Sequence, residues 1–336
     1  MNIKFLLPAL SAGVLLFASS CKEETLLNNE ATNEKASLHV KLAGEGITTR
    51  AEATDAEMEV HNYSIYVFYA NGTLETVATN ESSITGLTPG SKTIAVIANA
   101  PAGFAPGSIT SLSTFEDANF DLDTQYPRTL DNGLVMSGST PETLASGSNS
   151  AEVTVSRLVA KVKLGSINIL PSAGHDPAKF ELVGVHMMKV KSKAKIGAPN
   201  VLGGVDFYGG ADPVAAGLPL ESLYKNYLTE TAAEGVNAAY FYVYPNDEND
   251  ATLMTIEGRY DGQTTYFPFV INNTEISAGD GTGDYIKRNT LHTVNVTLKK
   301  LGGGVENPEE VVDPAAVDVT ITAEDWVIIP EQGVEW

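Results

Sequence analysis

Short β-branched and aromatic runs, closed by Gly, Pro and Asn, recur along this chain and restrict it to sheets. Residues 37–42 alternate strictly and place Leu38, Val40 and Leu42 on one face. Residues 63–69 form a continuous run ended by Asn71-Gly72, a hairpin signal, and residues 74–78 return from that turn. After a turn at residues 87–90, residues 93–98 read as a buried strand. Residues 101–150, rich in Pro, Gly, Ser and Thr, read as long loops with one short helix at 113–118. Further strands are expected at 151–155, 158–164, 181–194, 239–244, 251–260, 264–271 and 290–298, with a helix at 218–228. A last strand pair is expected at 317–322 and 326–329, after a Gly- and Glu/Pro-rich linker at 302–314. The fold class is therefore mainly all-β: two tandem β-sandwich domains with a few short helices. The boundary falls beside Arg157.

The one cysteine, Cys21, follows an apolar run that begins at Ile3. Lys4 supplies a positive start, and Ala18, Ser19 and Ser20 supply small residues before the thiol. This is the layout of a lipoprotein export signal, and the run is too short for a convincing membrane span. Ala18 departs from the usual Leu or Val at its position. A lipid on Cys21 tethers a chain without spanning the bilayer. With no second cysteine, no intramolecular disulfide holds the fold, so cohesion must come from burial and sheet hydrogen bonds. Residues 22–36 read as a polar tether.

The net charge of −21 argues against nucleic acid and against electrostatic attachment to an anionic membrane. The five histidines (His39, His61, His175, His186, His292) lack metal-ligand spacing. No nucleophile elbow, phosphate loop or dinucleotide fingerprint occurs. The loop at 280–284 lacks the oxygen-ligand run of a calcium site and reads as a Gly-rich hairpin. No catalytic residue, metal or cofactor is expected.

Two alternating strands stand at opposite ends of the chain, Leu38/Val40/Leu42 and Val317/Val319/Ile321, each flanked by polar sequence. Between the first strand and the first domain, Arg50-Ala51 reads as an exposed site for an Arg-specific protease. A cut there removes lipid, tether and strand together and opens a groove that invites strand addition. Head-to-tail insertion of the C-terminal strand is heterologous and builds a filament. On pattern alone the plainer reading is ahead: each strand belongs to its own domain and Arg50 is incidental.

The chain resembles the fimbrillins of Bacteroidales, the type V pilins of the major and minor fimbriae. The resemblance is carried by the start through Cys21, the Thr49-Arg50-Ala51 junction, and residues 60–74 (VHNYSIYVFYANGTL) and 87–101 (LTPGSKTIAVIANAP). It continues in residues 156–164 (SRLVAKVKL), 286–298 (IKRNTLHTVNVTL) and 317–326 (VDVTITAEDW). It implies two transthyretin-like sandwiches, lipidation (palmitate included) at Cys21, and cleavage between Arg50 and Ala51. Residues 1–20 would be signal peptide, 21–50 the lipidated propeptide, 51–156 and 157–301 the two sandwiches, and 302–336 linker and donor segment. Leu38, Val40 and Leu42 would be the displaced strand. Val317, Val319 and Ile321, with Trp326, Val327, Ile328 and Ile329, would be the donor.

The implied partners are further copies of the chain, anchor and tip subunits, an Arg-specific surface protease, and host or bacterial surface ligands. The implied location is the outer membrane and then the fimbrium, with a role in adhesion and biofilm formation. A different class stays open: a lipid-anchored surface protein that binds glycan or another ligand. Tyr63, Tyr66, Tyr69, Tyr240, Tyr242 and Tyr244 would be its platform, although their period-two spacing is the commoner mark of sheet packing.

Overall fold

The computed structural model describes residues 34–44, 57, 59–125, 133–197, 223–226, 240–246, 251–271, 286–308 and 317–325. Within them lie β1 (Ala36–Gly44), β2 (Tyr63–Tyr69), β3 (Leu74–Thr79), β4 (Ser83–Leu87) and β5 (Gly90–Ala98). Helix α1 (Leu112–Glu116) is followed by β6 (Asn119–Asp121), β7 (Met136–Leu144), β8 (Gly147–Arg157) and β9 (Ala160–Ile169). Next come β10 (Phe180–Met188), β11 (Lys193–Lys195), β12 (Leu223–Asn226), β13 (Tyr240–Val243) and β14 (Leu253–Tyr260). The last are β15 (Gln263–Val270), β16 (Thr290–Leu298) and β17 (Val317–Asp325). The mainly-β expectation holds. The described residues from Lys35 onward form one compact unit.

One continuous ladder runs β3-β2-β5-β7-β8-β1-β4. It folds over itself at the β7–β8 junction, where the pairing is confined to Met136↔Arg157 and Ser137↔Ser156. The β4, β1 and β8 side then faces β2 and β5 across a closed core. Leu38, Val40, Ile84, Leu87, Ala151 and Val153 meet Tyr63, Ile65, Val67, Ile94 and Val96 there. Gly138 makes part of this packing possible: a Cβ on it would lie 1.9 Å from the Thr154 carbonyl oxygen.

β2 and β5 are buried on both faces. Their odd and even residues diverge, as the period of two requires. Tyr66, Phe68, Ala95 and Ile97 point into a second core that also holds Val162, Val185, Phe241, Ile256, Phe267 and Val294. Phe115 of α1 reaches the same core and meets Tyr66 and Phe68 edge-on, at centroid distances of 5.6 and 6.1 Å. Two four-stranded sheets, β12-β10-β14-β15 and β13-β9-β16-β17, both contribute to this second core.

The structure departs from the sequence pattern in several places. Residues 136–144 and 147–150, expected as loop, are strand. The composition of β7 (MSGSTPETL) hides it, because it is a half-exposed strand whose regularity comes from pairing with β5 along all nine residues. Residues 223–226, inside the expected helix, are strand and pair with Gly184–Met187 of β10. Cross-strand pairing outweighs the helical propensity of that segment. The linker is also less free at its start, since Val305 exchanges backbone hydrogen bonds with Tyr266 at 2.8 and 2.9 Å.

Candidate functional site

β1 lies between two neighbours. Against β8 it runs parallel, in unbroken register from Ala36↔Gly147 to Gly44↔Val155. Against β4 it is antiparallel, with Ala36↔Leu87, Leu38↔Ile84 and His39↔Ser83 and a register shift between the first two. The Val40 amide donates to the Ser82 carbonyl at 2.8 Å. Asn149 Nδ2 donates to the Ser37 carbonyl at 3.1 Å. Ala36, Leu38 and Val40 are each 1% exposed, and Leu42 is half-buried at the end of the row. The outward row is solvated: Lys41 Nζ reaches Glu152 at 3.2 Å with both side chains largely exposed. The three expected strand residues therefore share one row in one groove. Full burial stabilises a Val or Leu side chain by roughly 1.5–3 kcal/mol. Without β1, the groove would expose that apolar floor and two rows of unpaired backbone groups.

β17 is placed differently. It pairs antiparallel with β16 along its whole length, from Thr290↔Asp325 to Leu298↔Val317, and among the described residues it is the last strand of its sheet. Val319 and Ile321 are half-buried and pack on the second core. The chain thus brings Leu38, Val40 and Leu42 together and sets Val317, Val319 and Ile321 on another sheet, at its edge. Cys21, Arg50, Ala51, Trp326, Val327, Ile328 and Ile329 lie outside the described residues.

The model of the major fimbrial subunit protein (FimA) family matches residues 36–177, a span that begins at the first residue of β1. Over this segment, less than half of its length, the chain is similar to the major fimbrial subunit family. Solved structures share its architecture over most of the chain. A Bacteroides eggerthii protein whose suggested role is cell adhesion is 23% identical, with a TM-score of 0.65, over 88% of this chain and 97% of that one. A fimbrilin (FimA) from Porphyromonas gingivalis W83 is 21% identical, with a TM-score of 0.64, over 89% and 99%. The tip fimbrial protein Mfa3 of Porphyromonas gingivalis, with a C-terminal truncation, is 18% identical, with a TM-score of 0.53, over 87% and 100%. At these identities the likeness concerns the fold. No curated protein matches the chain.

The matched segment also contains polar anchors that the sequence pattern did not single out. Glu57 is 1% exposed. Its carboxylate accepts from Lys161 Nζ at 2.8 Å and from the Tyr242 hydroxyl at 2.5 Å, and its carbonyl accepts from Arg157 Nε at 3.0 Å. Arg157 also donates to Asn289 Oδ1 at 3.0 Å. Burial draws the Arg157 pKa down to about 10 against the opposing pull of Glu57. Burial, and then Glu57, push the Tyr242 phenol far up. These contacts join Glu57 to β8, β9 and β13, and through Arg157 to the turn before β16. A second pair joins Lys92 Nζ to Glu75 at 2.6 Å, with the Lys92 ammonium 3.9 Å from the Tyr69 ring centroid.

The six tyrosines do not form an exposed platform. Tyr63, Tyr66, Tyr242 and Tyr244 are buried, and Tyr69 and Tyr240 are half-buried beside Lys92 and Lys161. Burial pushes the Tyr66 phenol up to about 12. Among the described residues no group of three or more His, Cys, Asp or Glu side chains is placed to hold a metal, and no helix is long and apolar enough to cross a membrane.

Proposed function

We propose that this chain is a structural fimbrial subunit of the stalk, exported as a lipoprotein and polymerised by strand exchange. The observation that carries the reading is the setting of β1. Its inner row is sealed at Ala36, Leu38 and Val40, it pairs with both neighbours, and it adjoins the segment that contains Arg50. One cut after Arg50 would free β1 together with the lipid on Cys21. Glu57, pinned by Lys161, Tyr242 and Arg157, would hold the new N-terminus to the body. The vacated groove would then accept residues 317–325 of another copy, with residues 326–329 continuing the donor. Each insertion leaves a further groove and a further donor, so the assembly grows as a fibre.

In this reading residues 51–156 and 157–301 are two sandwich domains that share the second core, and 302–336 link and donate. The mature fibre stands on the cell surface, joined by anchor and tip subunits and supporting adhesion to host or bacterial surfaces. The subunit performs no chemistry of its own; an Arg-specific surface protease supplies the one covalent step. Burial of the tyrosines weighs against the ligand-platform alternative.

The test is to treat a soluble precursor beginning at Lys22 with an Arg-specific protease. Cleavage after Arg50 should yield ladders on gels and fibres by electron microscopy, and Arg50→Ala should yield neither. A complete cut at Arg50 that leaves only monomers would sink the proposal.

A further inference from the structure

We infer that the incoming strand of a second copy enters the groove in the opposite direction to β1, with Val319 in the place of Val40. This rests on the strand-exchange reading above and adds its register and polarity. The groove takes a row that is small at both ends and bulky between them: Ala36, Leu38, Val40, Leu42 and Gly44. Ala36 is 1% exposed, so a larger side chain there overpacks a closed site. Read backwards, β17 offers Ala323, Ile321, Val319 and Val317 to the places of Ala36, Leu38, Val40 and Leu42. Each place receives a residue of the same or slightly smaller volume, and every donor residue lies inside the strand as it already stands.

Read forwards with its first residue at the head of the groove, β17 would put Val317 where Ala36 sits. Relieving that clash requires a slide of two residues, which brings Ala315 to the Ala36 place. Ala315 follows Pro314 and stands two residues before Val317, so that register draws on chain beyond the bounds of β17, whereas the reversed one does not.

The ladder points the same way. β1 is parallel to β8 over nine residue pairs and antiparallel to β4 over three. Reversal makes the long pairing antiparallel and leaves only the short one parallel, and antiparallel pairs are the stronger per residue. Exchange then runs downhill through the ladder. Reversal also gives up the Lys41–Glu152 contact and sets Asp318 beside Glu152. Glu152 is 57% exposed, so solvent screens that cost.

The chain beyond Cys21 has no cysteine, so introduced thiols report without background. In the reversed register residue 322 lies across from Ser148, which pairs with Ser37 now. In the slid forward register it lies across from Thr154, six residues away and about 20 Å along β8. Ser148 and Thr154 are both exposed. Precursors carrying Thr322→Cys with Ser148→Cys, or Thr322→Cys with Thr154→Cys, are cleaved, allowed to assemble and oxidised.

The expected result is a reducible covalent ladder from the Ser148 pair, at least tenfold stronger than from the Thr154 pair, and none from either uncleaved precursor. A ladder from the Thr154 pair overturns the polarity and leaves strand exchange standing. Fibres that cross-link through neither pair overturn the register. If the cysteine-free parent forms no fibres after cleavage, strand exchange fails and this inference fails with it.

Discussion

β1 and β17 have the same length and the same period-two apolar row, yet the fold treats them in opposite ways. β1 is enclosed by two neighbours and its central side chains are sealed. Among the described residues β17 has one neighbour, and Val319 and Ile321 are half-buried. The contrast teaches that apolar pattern sets which face of a strand is inward, while position in the ladder sets how firmly it is held. An edge strand can leave by breaking one row of hydrogen bonds; an enclosed strand must break two.

The largest expected effect tests the enclosed strand. Leu38→Ala in the uncleaved precursor should lower the unfolding free energy by about 4 kcal/mol, as for a sealed core leucine, read by urea denaturation. The same substitution should have no effect once residues before 51 have been removed and fibres have formed. A loss below about 1 kcal/mol in the precursor would show that the groove is not closed around β1.

The next effect concerns the sheet that holds β17. His292 on β16 is 1% exposed and its Nε2 lies 2.9 Å from Thr290 Oγ1. Burial draws its pKa down to about 4 from 6.5. A folded pKa below the unfolded one means that the unfolded chain binds the proton first. Stability from this group is therefore intact above pH 6.5 and falls as pH drops towards 4, by about 3 kcal/mol in all. His292→Leu should flatten that slope in denaturation curves measured between pH 7 and 4. An unchanged slope would assign the acid sensitivity to other groups.

The smallest effect is at the edge. Ile321→Ala should cost the monomer about 1 kcal/mol, since the side chain is half-buried and less apolar area is at stake. In assembled fibres it should cost more than twice as much, because residue 321 then fills the sealed place of Leu38. Comparison of the two denaturation midpoints checks this. Equal costs in monomer and fibre would mean that β17 never leaves its edge.

Much of the fold was legible where burial on one face writes a period of two into the sequence. Residues 37–42 were recognised by alternation, and β16 was expected with the bounds observed. β7 was not legible, because Ser, Thr, Gly and Pro at half-exposed positions look like loop until a neighbouring strand is placed beside them. The groove was readable only in part: its inner row is a local pattern, whereas its walls come from β4 and β8, far apart in the chain. Glu57 was invisible for a related reason. It stands among Glu52, Asp55 and Glu59, which suggest a solvated segment. Only the long-range approach of Lys161 and Tyr242 reveals that this one carboxylate is enclosed.

The double-sided burial of β2 and β5 has a mechanical consequence. These strands are a party wall: Ile65, Val67, Ile94 and Val96 face one room, and Tyr66, Phe68, Ala95 and Ile97 face the other. Packing lost on one side removes the backing from the other, so the two rooms melt together. In the proposed fibre, such a subunit would yield to a pull as one stiff block, not as two beads stretching apart on a string.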